Sequence, residues 1–188
     1  GAYCYNVNEK KWTNYLHDEN NPRSLPYDKV LSIFEDSHRQ IWLTTQGGGF
    51  CKFHPETETF TSYDSRNGLP NDVVYQIVED KEGLMWLTTN NGLVSFQPAT
   101  GAMKVYTTAN GLLGEQFNYR SSFETEDGTI YLGSIDGFVA FNPKNFSENK
   151  SLPSIVITDF LSWMSWFFSL IRILFHFVSL LWISRLRE

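Results

Sequence analysis

The sequence predicts an all-β fold, a partial β-propeller of about three four-stranded blades followed by a C-terminal hydrophobic helix. The first observation is a repeat whose aromatic marker falls at Trp42, Trp86 and Tyr131, 44 and 45 residues apart. The second is that each period divides into four short apolar segments separated by turn residues. Four strands in a period of about 40 to 45 residues are typical of a propeller blade. Before residue 160, no segment keeps the 3.6-residue apolar period of a helical repeat.

The second period shows the four strands of a blade most clearly. Residues 73–79 form a mostly apolar run that suits a strand buried on both faces. The other three strands are expected over residues 84–89, 93–96 and 103–107. The turns before them contain Gly83, Gly92 and Gly101, and glycine accepts the positive φ that tight turns require.

Residues 1–143 hold a partial first blade and then three repeats. Residues 1–5 match the later part of a period, so the chain begins within a blade. Closed propellers use about 4 to 8 blades, and an open stack leaves edge strands unpaired. We therefore expect upstream propeller blades of a larger parent protein to be partners of this chain.

Composition and charge exclude several classes of protein. The chain has 15 Lys+Arg against 21 Asp+Glu, a formal net charge of -6, and 16% aromatic residues. This aromatic content predicts a packed core and excludes a disordered acidic tail. Because nucleic-acid binding needs clustered positive charge, no nucleic-acid partner is expected. Two cysteines, Cys4 and Cys51, are too few for a disulfide scaffold or a zinc site, and whether they pair stays open.

The sequence shows no convergent set of catalytic residues. Acidic pairs recur at residues 35–36, 79–80 and 126–127, and a pair repeated in every blade indicates a turn or a strand end rather than one active site. The repeated aromatic residues are expected to pack between blades rather than to stack on sugars. The histidines lack metal-ligand spacing, and no nucleophile triad or phosphate-binding motif is present. We expect no catalytic residue, no metal and no cofactor.

Candidate ligand-binding residues are those that break the repeat, because loops on a rigid scaffold carry recognition. Arg23 lies in a loop over residues 18–24 that is four residues longer than its counterparts. Asn118, Tyr119 and Arg120 lie in the third repeat, where the usual pattern is lost. Tyrosine and arginine together can stack on a sugar and donate hydrogen bonds to it. The alternative, that all four are ordinary rim residues, stays open.

Residues 68–98 carry the motifs L-P-x-D-x-V, E-D, G-x-x-W-L-x-T and G-L-x-x-F-x-P in order. This string closely resembles the two-component regulator propeller repeat of Bacteroides-type hybrid two-component histidine kinases. The resemblance implies a periplasmic sensor that responds to oligosaccharides and signals across the inner membrane to a kinase. Residues 153–160 resemble the first strand of the Y_Y_Y immunoglobulin-like domain of such sensors, so residues 144–160 are expected to form a linker and that strand.

The composition of residues 161–183 predicts a hydrophobic, membrane-spanning helix. Seventeen of the 23 residues are apolar, which matches the length needed to cross a bilayer despite Arg172 near the middle. The six polar residues are three or four apart and form one narrow stripe. The basic flank at residues 184–188 indicates a cytoplasmic C-terminus and external repeats. An interfacial helix and a segment translated out of frame stay open as alternatives.

Together these features predict a non-catalytic, periplasmic sensory fragment, anchored in the inner membrane, of a two-component protein that detects an oligosaccharide. A propeller lyase or hydrolase is one alternative, and a protein-interaction scaffold is another. A small glycan is the expected ligand, the membrane is contacted through the C-terminal helix, and homodimer formation stays open.

Overall fold

The computed structural model describes residues 1–145, which form thirteen strands in four antiparallel sheets. The first sheet is a two-stranded hairpin of β1 (Ala2–Asn6) and β2 (Lys11–Tyr15). Blade 1 contains β3 (Val30–Glu35), β4 (Ile41–Thr45), β5 (Phe50–His54) and β6 (Thr59–Tyr63). Blade 2 contains β7 (Val74–Glu79), β8 (Met85–Thr89), β9 (Gly92–Gln97) and β10 (Ala102–Tyr106). Blade 3 contains β11 (Phe117–Glu124), β12 (Ile130–Ser134) and β13 (Gly137–Phe141). Short 3-10 turns cover Ser65–Asn67, Thr108–Asn110 and Pro143–Asn145.

Each blade is a meander in which sequential strands pair as neighbours. The first strands of the blades, β3, β7 and β11, contact one another in that order, so each blade packs beside the next along its innermost strand. This arrangement confirms the all-β, propeller-type prediction. The N-terminal hairpin supplies only two strands.

The tight turn between β8 and β9 depends on Gly92. Its φ is +105°, and a Cβ atom added there would lie 2.6 Å from the carbonyl oxygen of Tyr106. Both facts favour glycine, because an L side chain is strained in this conformation and has no room. The sequence prediction of a glycine turn at this position is therefore confirmed.

The hydrophobic core lies between blades rather than inside any one of them. Trp42 of blade 1 is 1% exposed and packs edge-on against Phe96 of blade 2, with ring centroids 5.7 Å apart. Trp86 of blade 2 is 2% exposed and meets Phe141 of blade 3 at 4.7 Å. The prediction that the repeated tryptophans pack between blades is confirmed for both.

Blade 3 differs from the prediction in two ways. It has three strands within the described residues rather than four. Tyr131, which occupies the position of Trp42 and Trp86, is 38% exposed and faces Phe138 of its own sheet. The expectation that Tyr131 packs between blades is therefore wrong for residues 1–145, because no further described sheet covers this side of blade 3.

The predictions for the C-terminal part of the chain lie outside the described residues. They are the immunoglobulin-like strand within residues 144–160, the hydrophobic helix over residues 161–183 and the basic flank at residues 184–188. Within residues 1–145, no helix is long and apolar enough to cross a membrane.

Phe50 and Phe138 occupy equivalent positions and provide a matched test of packing between blades. Phe50 is fully buried against blade 2, whereas Phe138 is 63% exposed on the outer side of blade 3. We expect Phe50→Ala to lower the free energy of unfolding by ~3–5 kcal/mol. Phe138→Ala should change it by ~0.5 kcal/mol or less, because the ring already contacts water. Urea denaturation of the full chain measures both, and equal losses would contradict the assignment of the two faces.

Candidate functional site: the loop face

Antiparallel strands place the connections of the blades at two ends. We call one end the loop face. It carries the connections that enter each blade, at residues 16–29, 64–73 and 107–116, and the loops between the second and third strands, at residues 46–49, 90–91 and 135–136. The opposite end carries the hairpin turns after the first and third strands. All the sequence-predicted ligand residues lie on or next to the loop face.

Two of the repeated acidic pairs have a structural role at the end of the blades opposite the loop face. Asp36 accepts the indole N–H of Trp42 on Oδ2 at 2.9 Å, and its Oδ1 accepts backbone N–H groups of the following turn. Asp80 repeats this arrangement with the indole N–H of Trp86, also at 2.9 Å. The prediction that these carboxylates belong to turns and strand ends is confirmed for both pairs.

The third acidic pair does not occupy the equivalent position. Asp36 and Asp80 each lie six residues before the tryptophan of their blade, and the residue six before Tyr131 in blade 3 is Thr125. The backbone N–H of Thr125 donates to the carbonyl oxygen of Thr129. The N–H groups of Asp36 and Asp80 donate in the same way to Gln40 and Leu84. Asp127 instead accepts hydrogen bonds from the hydroxyl groups of Thr125 and Thr129. These bonds lower the pKa of the Asp127 carboxyl, the side-chain bond from Thr125 contributing most. Tyr131 has no indole N–H, so blade 3 needs no carboxylate at the equivalent position.

Arg23 lies in the long connection into blade 1, with its side chain exposed. Its carbonyl oxygen accepts the N–H of Phe60 at 2.8 Å, and its own N–H donates to Asn21 Oδ1 at 3.0 Å. The backbone of Arg23 therefore fixes the loop to the outer strand of blade 1. The loop is four residues longer than the other two connections into blades, 14 residues against 10, as the sequence predicts.

Asn118, Tyr119 and Arg120 form a bulge near the start of β11. Phe117 pairs with Ser134, and the next pair is Ser122 with Leu132. The bulge between these two pairs contains two more inserted residues than the bulges at the equivalent places in blades 1 and 2. The side-chain amide of Asn118 donates to the carbonyl oxygen of Ser134 at 2.9 Å. Arg120 takes a φ of +50°, which non-glycine residues rarely adopt.

The bulge changes the contact between blades 2 and 3. Tyr119 packs edge-on against Tyr75 of blade 2, with ring centroids 4.7 Å apart. The hydroxyl of Thr44 in blade 1 donates to the carbonyl oxygen of Tyr75 at 3.3 Å. The equivalent hydroxyl of Thr88 is buried in blade 2 and has no hydrogen-bond partner. The inserted residues therefore replace a regular contact with one that is particular to blade 3.

Arg120 also borders an open concave surface of about 440 Å³ on the outer side of blade 3. Its aromatic members are Phe123, Tyr131 and Phe138, and their equivalents in blade 1 are Phe34, Trp42 and Phe50, which pack against blade 2. This surface is therefore the blade-packing face of blade 3. It contains none of residues 16–29, so the structure does not bring Arg23 together with residues 118–120 there.

A second cavity, of about 420 Å³, opens on the loop face beside blade 1, and we call it the loop pocket. Three segments build it: the long connection into blade 1, the loop between β4 and β5, and the connection out of blade 1. The lining residues are His17, Asp18, Glu19, Asn21, Pro22, Ser24, Pro26, Gly47, Gly48, Ser62, Asp64 and Arg66. The pocket includes the loop that the sequence singled out, although Arg23 itself is not among the lining residues.

Arg66 and Asp64 form the charged rim of the loop pocket. The Arg66 guanidinium donates to both carboxylate oxygens of Asp64 and makes an ion pair with it at 2.5 Å. This hydrogen bonding lowers the pKa of the Asp64 carboxyl. Asp64 also accepts the N–H of Arg66 at 2.8 Å, so the carboxylate caps the short turn that follows β6.

Cys4 and Cys51 are both free thiols. Cys4 is exposed on the N-terminal hairpin, whereas Cys51 is buried in the core between that hairpin and blade 1. Burial raises the pKa of the Cys51 thiol to about 12. Among the residues that the structure describes, no cluster of three or more His, Cys, Asp or Glu side chains has a geometry that suits a metal ion.

Comparison with known proteins agrees with the repeat and the fold. Residues 68–91 match the family model of the two-component regulator propeller. Over 132 residues the chain is 35% identical to histidine kinase P4 of Formosa agariphila, an alignment that covers 70% of this chain and 10% of the kinase. The chain thus spans about a tenth of the length of this relative.

Solved structures show the same fold. The extracellular domain of a putative one-component system from B. thetaiotaomicron has a TM-score of 0.62 at 24% identity, covering 77% of this chain and 21% of that one. An extracellular domain described as part of a putative hybrid two-component system from B. thetaiotaomicron has a TM-score of 0.61 at 21% identity, covering 85% and 24%. A catalytically inactive virginiamycin B lyase from Staphylococcus aureus has a TM-score of 0.54 at 16% identity, covering 74% and 47%. Residues 68–91 therefore match the two-component regulator propeller repeat within a fold shared with these domains.

Sequence reasoning found the long loop but missed its neighbours in the loop pocket. The loop between β4 and β5 has two residues more than the corresponding loops of blades 2 and 3. The run of three glycines at residues 47–49 is the signal that could have shown this insertion. Arg66, which no sequence pattern singles out, also lines the pocket.

Proposed function

We propose that this chain is a periplasmic sensory fragment of a two-component signal-transduction protein and that it detects an oligosaccharide. The observation that carries the proposal is the regulator-propeller match at residues 68–91 together with 35% identity to a histidine kinase over most of the chain. The shared fold of extracellular domains from B. thetaiotaomicron supports a location outside the cytoplasm.

The polar chemistry of the loop face supports a sugar as the ligand. Carboxylate, amide and hydroxyl groups of the loop pocket are donors and acceptors that suit a ligand rich in hydroxyl groups. Loops held on a rigid scaffold are where recognition is usually found. Arg23, Asn118, Tyr119 and Arg120 stay candidate contacts, although the Asn118 amide and the Tyr119 ring already have partners within the protein.

A sensory rather than catalytic role is part of the proposal. The carboxylates of Asp36 and Asp80 hold indole groups and turns, so their recurrence has a structural explanation. A sensor must release its ligand chemically unchanged, whereas a lyase or hydrolase shortens it.

The function is tested by calorimetric titration of the full chain with a panel of neutral and acidic oligosaccharides, followed by mass analysis of the recovered sugar. We expect saturable binding of at least one oligosaccharide and recovery of that sugar at its original mass. Shortened products would contradict the sensory role and favour an enzyme. An absence of binding across the panel, together with a tight protein partner, would favour a scaffold.

Anchoring in the inner membrane through residues 161–183 is the remaining part of the proposal. We expect the full chain to stay with membranes when they are washed with alkaline carbonate, because a spanning helix is held by the hydrocarbon core. A chain released by this wash would contradict the anchor and leave the sensory role unaffected.

A further inference from the structure

We propose that the loop pocket is the sugar-binding site of this chain and that it selects neutral over anionic oligosaccharides. The inference rests on the proposed function, which it makes specific in place and in ligand class. It is carried by how the pocket is built, how its walls are held and which charges line it.

The two expansions of blade 1 on its loop face meet in this pocket. The connection before blade 1 has four extra residues, and the loop between β4 and β5 has two. Glu19, Asn21 and Pro22 from the first expansion line the cavity, and so do Gly47 and Gly48 from the second. Blades 2 and 3 lack both expansions. The residues that build the pocket are therefore additional to the repeated blade pattern. The packing of one blade on the next does not need them, because blades 2 and 3 pack without them.

The walls of the pocket are held in place without a ligand. The N–H of Asp18 donates to the hydroxyl of Ser24 at 2.9 Å, which closes the long loop on itself. The carbonyl of Arg23 ties the same loop to β6. On the other side, a Cβ atom on Gly48 would lie 2.7 Å from the carbonyl oxygen of Pro26, so the two loops are in close contact. A site formed in advance loses little conformational entropy when a ligand binds.

The size and lining of the pocket suit a small polar ligand. Its volume of about 420 Å³ lies within the range of small-molecule sites, about 300–1,000 Å³. The hydroxyl of Ser62 can donate and accept hydrogen bonds. The Asn21 amide can still donate through its NH₂ group, since its oxygen accepts the N–H of Arg23. Pro22 and Pro26 add apolar surface, against which the C–H groups of a sugar ring can pack.

The charges of the pocket select against anionic sugars. Asp18, Glu19 and Asp64 contribute three carboxylates, whereas Arg66 is the single arginine or lysine in the lining. The Arg66 guanidinium is already paired with Asp64. A uronic acid or a sulfated sugar would therefore meet like charge without an available counter-charge in the lining, which weakens its binding.

The concave surface that contains Arg120 is the main alternative location for the sugar-binding site. Its aromatic residues could stack on sugars, but their equivalents in blade 1 are buried against the next blade. A surface of this kind is covered when a further blade is present. The loop pocket lies at an end of the blades and needs no such covering.

The position of the site is tested by filling the pocket. In Ser62→Trp, an indole replaces a hydroxyl that lines the cavity. Thr61→Trp is the matched control, because neighbouring residues of a strand point to opposite faces and Thr61 is exposed. The full chains are titrated with neutral tetrasaccharides of glucose, mannose and xylose. We expect Ser62→Trp to weaken the tightest of these by about tenfold or more and Thr61→Trp to change it by less than about twofold.

Two more variants test charge selection. They also keep the proposal testable if Ser62→Trp fails to fold. Glu19→Lys reverses a charge in the pocket, and Glu56→Lys makes the same change at the opposite end of blade 1. We expect the wild-type chain to bind neutral tetrasaccharides at least about tenfold more tightly than tetragalacturonic acid. Glu19→Lys should reduce that ratio severalfold, and Glu56→Lys should leave it unchanged.

The outcomes separate this inference from the proposed function. Binding of a neutral sugar that a folded Ser62→Trp chain and Glu19→Lys both leave unchanged would overturn the site and keep the sensor. Tightest binding of tetragalacturonic acid would overturn the charge selection. No binding of any sugar by the wild-type chain would overturn both the inference and the oligosaccharide part of the proposed function.

Discussion

The rest of the structure depends on the hydrogen bond between a buried tryptophan indole and an aspartate that follows the innermost strand of the blade. In blade 1 this bond joins Trp42 to Asp36, and in blade 2 it joins Trp86 to Asp80. One carboxylate oxygen accepts the indole N–H while the other accepts the N–H groups of the turn. A buried N–H left without a partner costs ~1–3 kcal/mol. The bond thus fixes the turn and the ring together, and the ring then contacts the next blade.

This constraint explains why the blades join by their faces and why the ends of the described fold are apolar. Each tryptophan lies over a phenylalanine of the following blade, Phe96 in one case and Phe141 in the other. On the N-terminal hairpin, Tyr3 and Trp12 remain exposed, and Phe123 and Phe138 remain exposed on blade 3. The extracellular domain from B. thetaiotaomicron that shares this fold is several times longer than this chain.

The repeat could be predicted from the sequence because it is set by local chemistry. Glycine turns, strand patterns and the spacing of the tryptophans are all visible along the chain, and the strands of blades 1 and 2 follow them closely. The third acidic pair, at residues 126–127, also lies in a turn, but it is not in register with the first two pairs. The six-residue spacing from Asp36 to Trp42 and from Asp80 to Trp86 leads in blade 3 to Thr125, not to Asp127. Where tyrosine replaces tryptophan, the need for a carboxylate disappears with the indole N–H.

The loop pocket could be predicted only in part, because it depends on contacts between segments that are distant along the chain. The long loop at residues 18–24 is visible as an insertion, but its meeting with Gly47, Gly48 and Arg66 follows from the packing of blade 1. The bulge at Asn118 to Arg120 is likewise visible as two additional residues, whereas the contact of Tyr119 with Tyr75 is not. Repeated residues build the scaffold here, and residues that depart from the repeat shape its loop face.

Hydrogen exchange of the tryptophan indoles, followed by NMR on the full chain, tests the central claim most directly. The indole N–H groups of Trp42 and Trp86 are buried and bonded to a carboxylate, whereas Trp12 is 65% exposed. Slow exchange at both Trp42 and Trp86, with fast exchange at Trp12, is the expected result, because exchange of a buried indole requires opening of the blade. Exchange at Trp42 or Trp86 as fast as at Trp12 would show that the indole–aspartate bond does not hold the blades together.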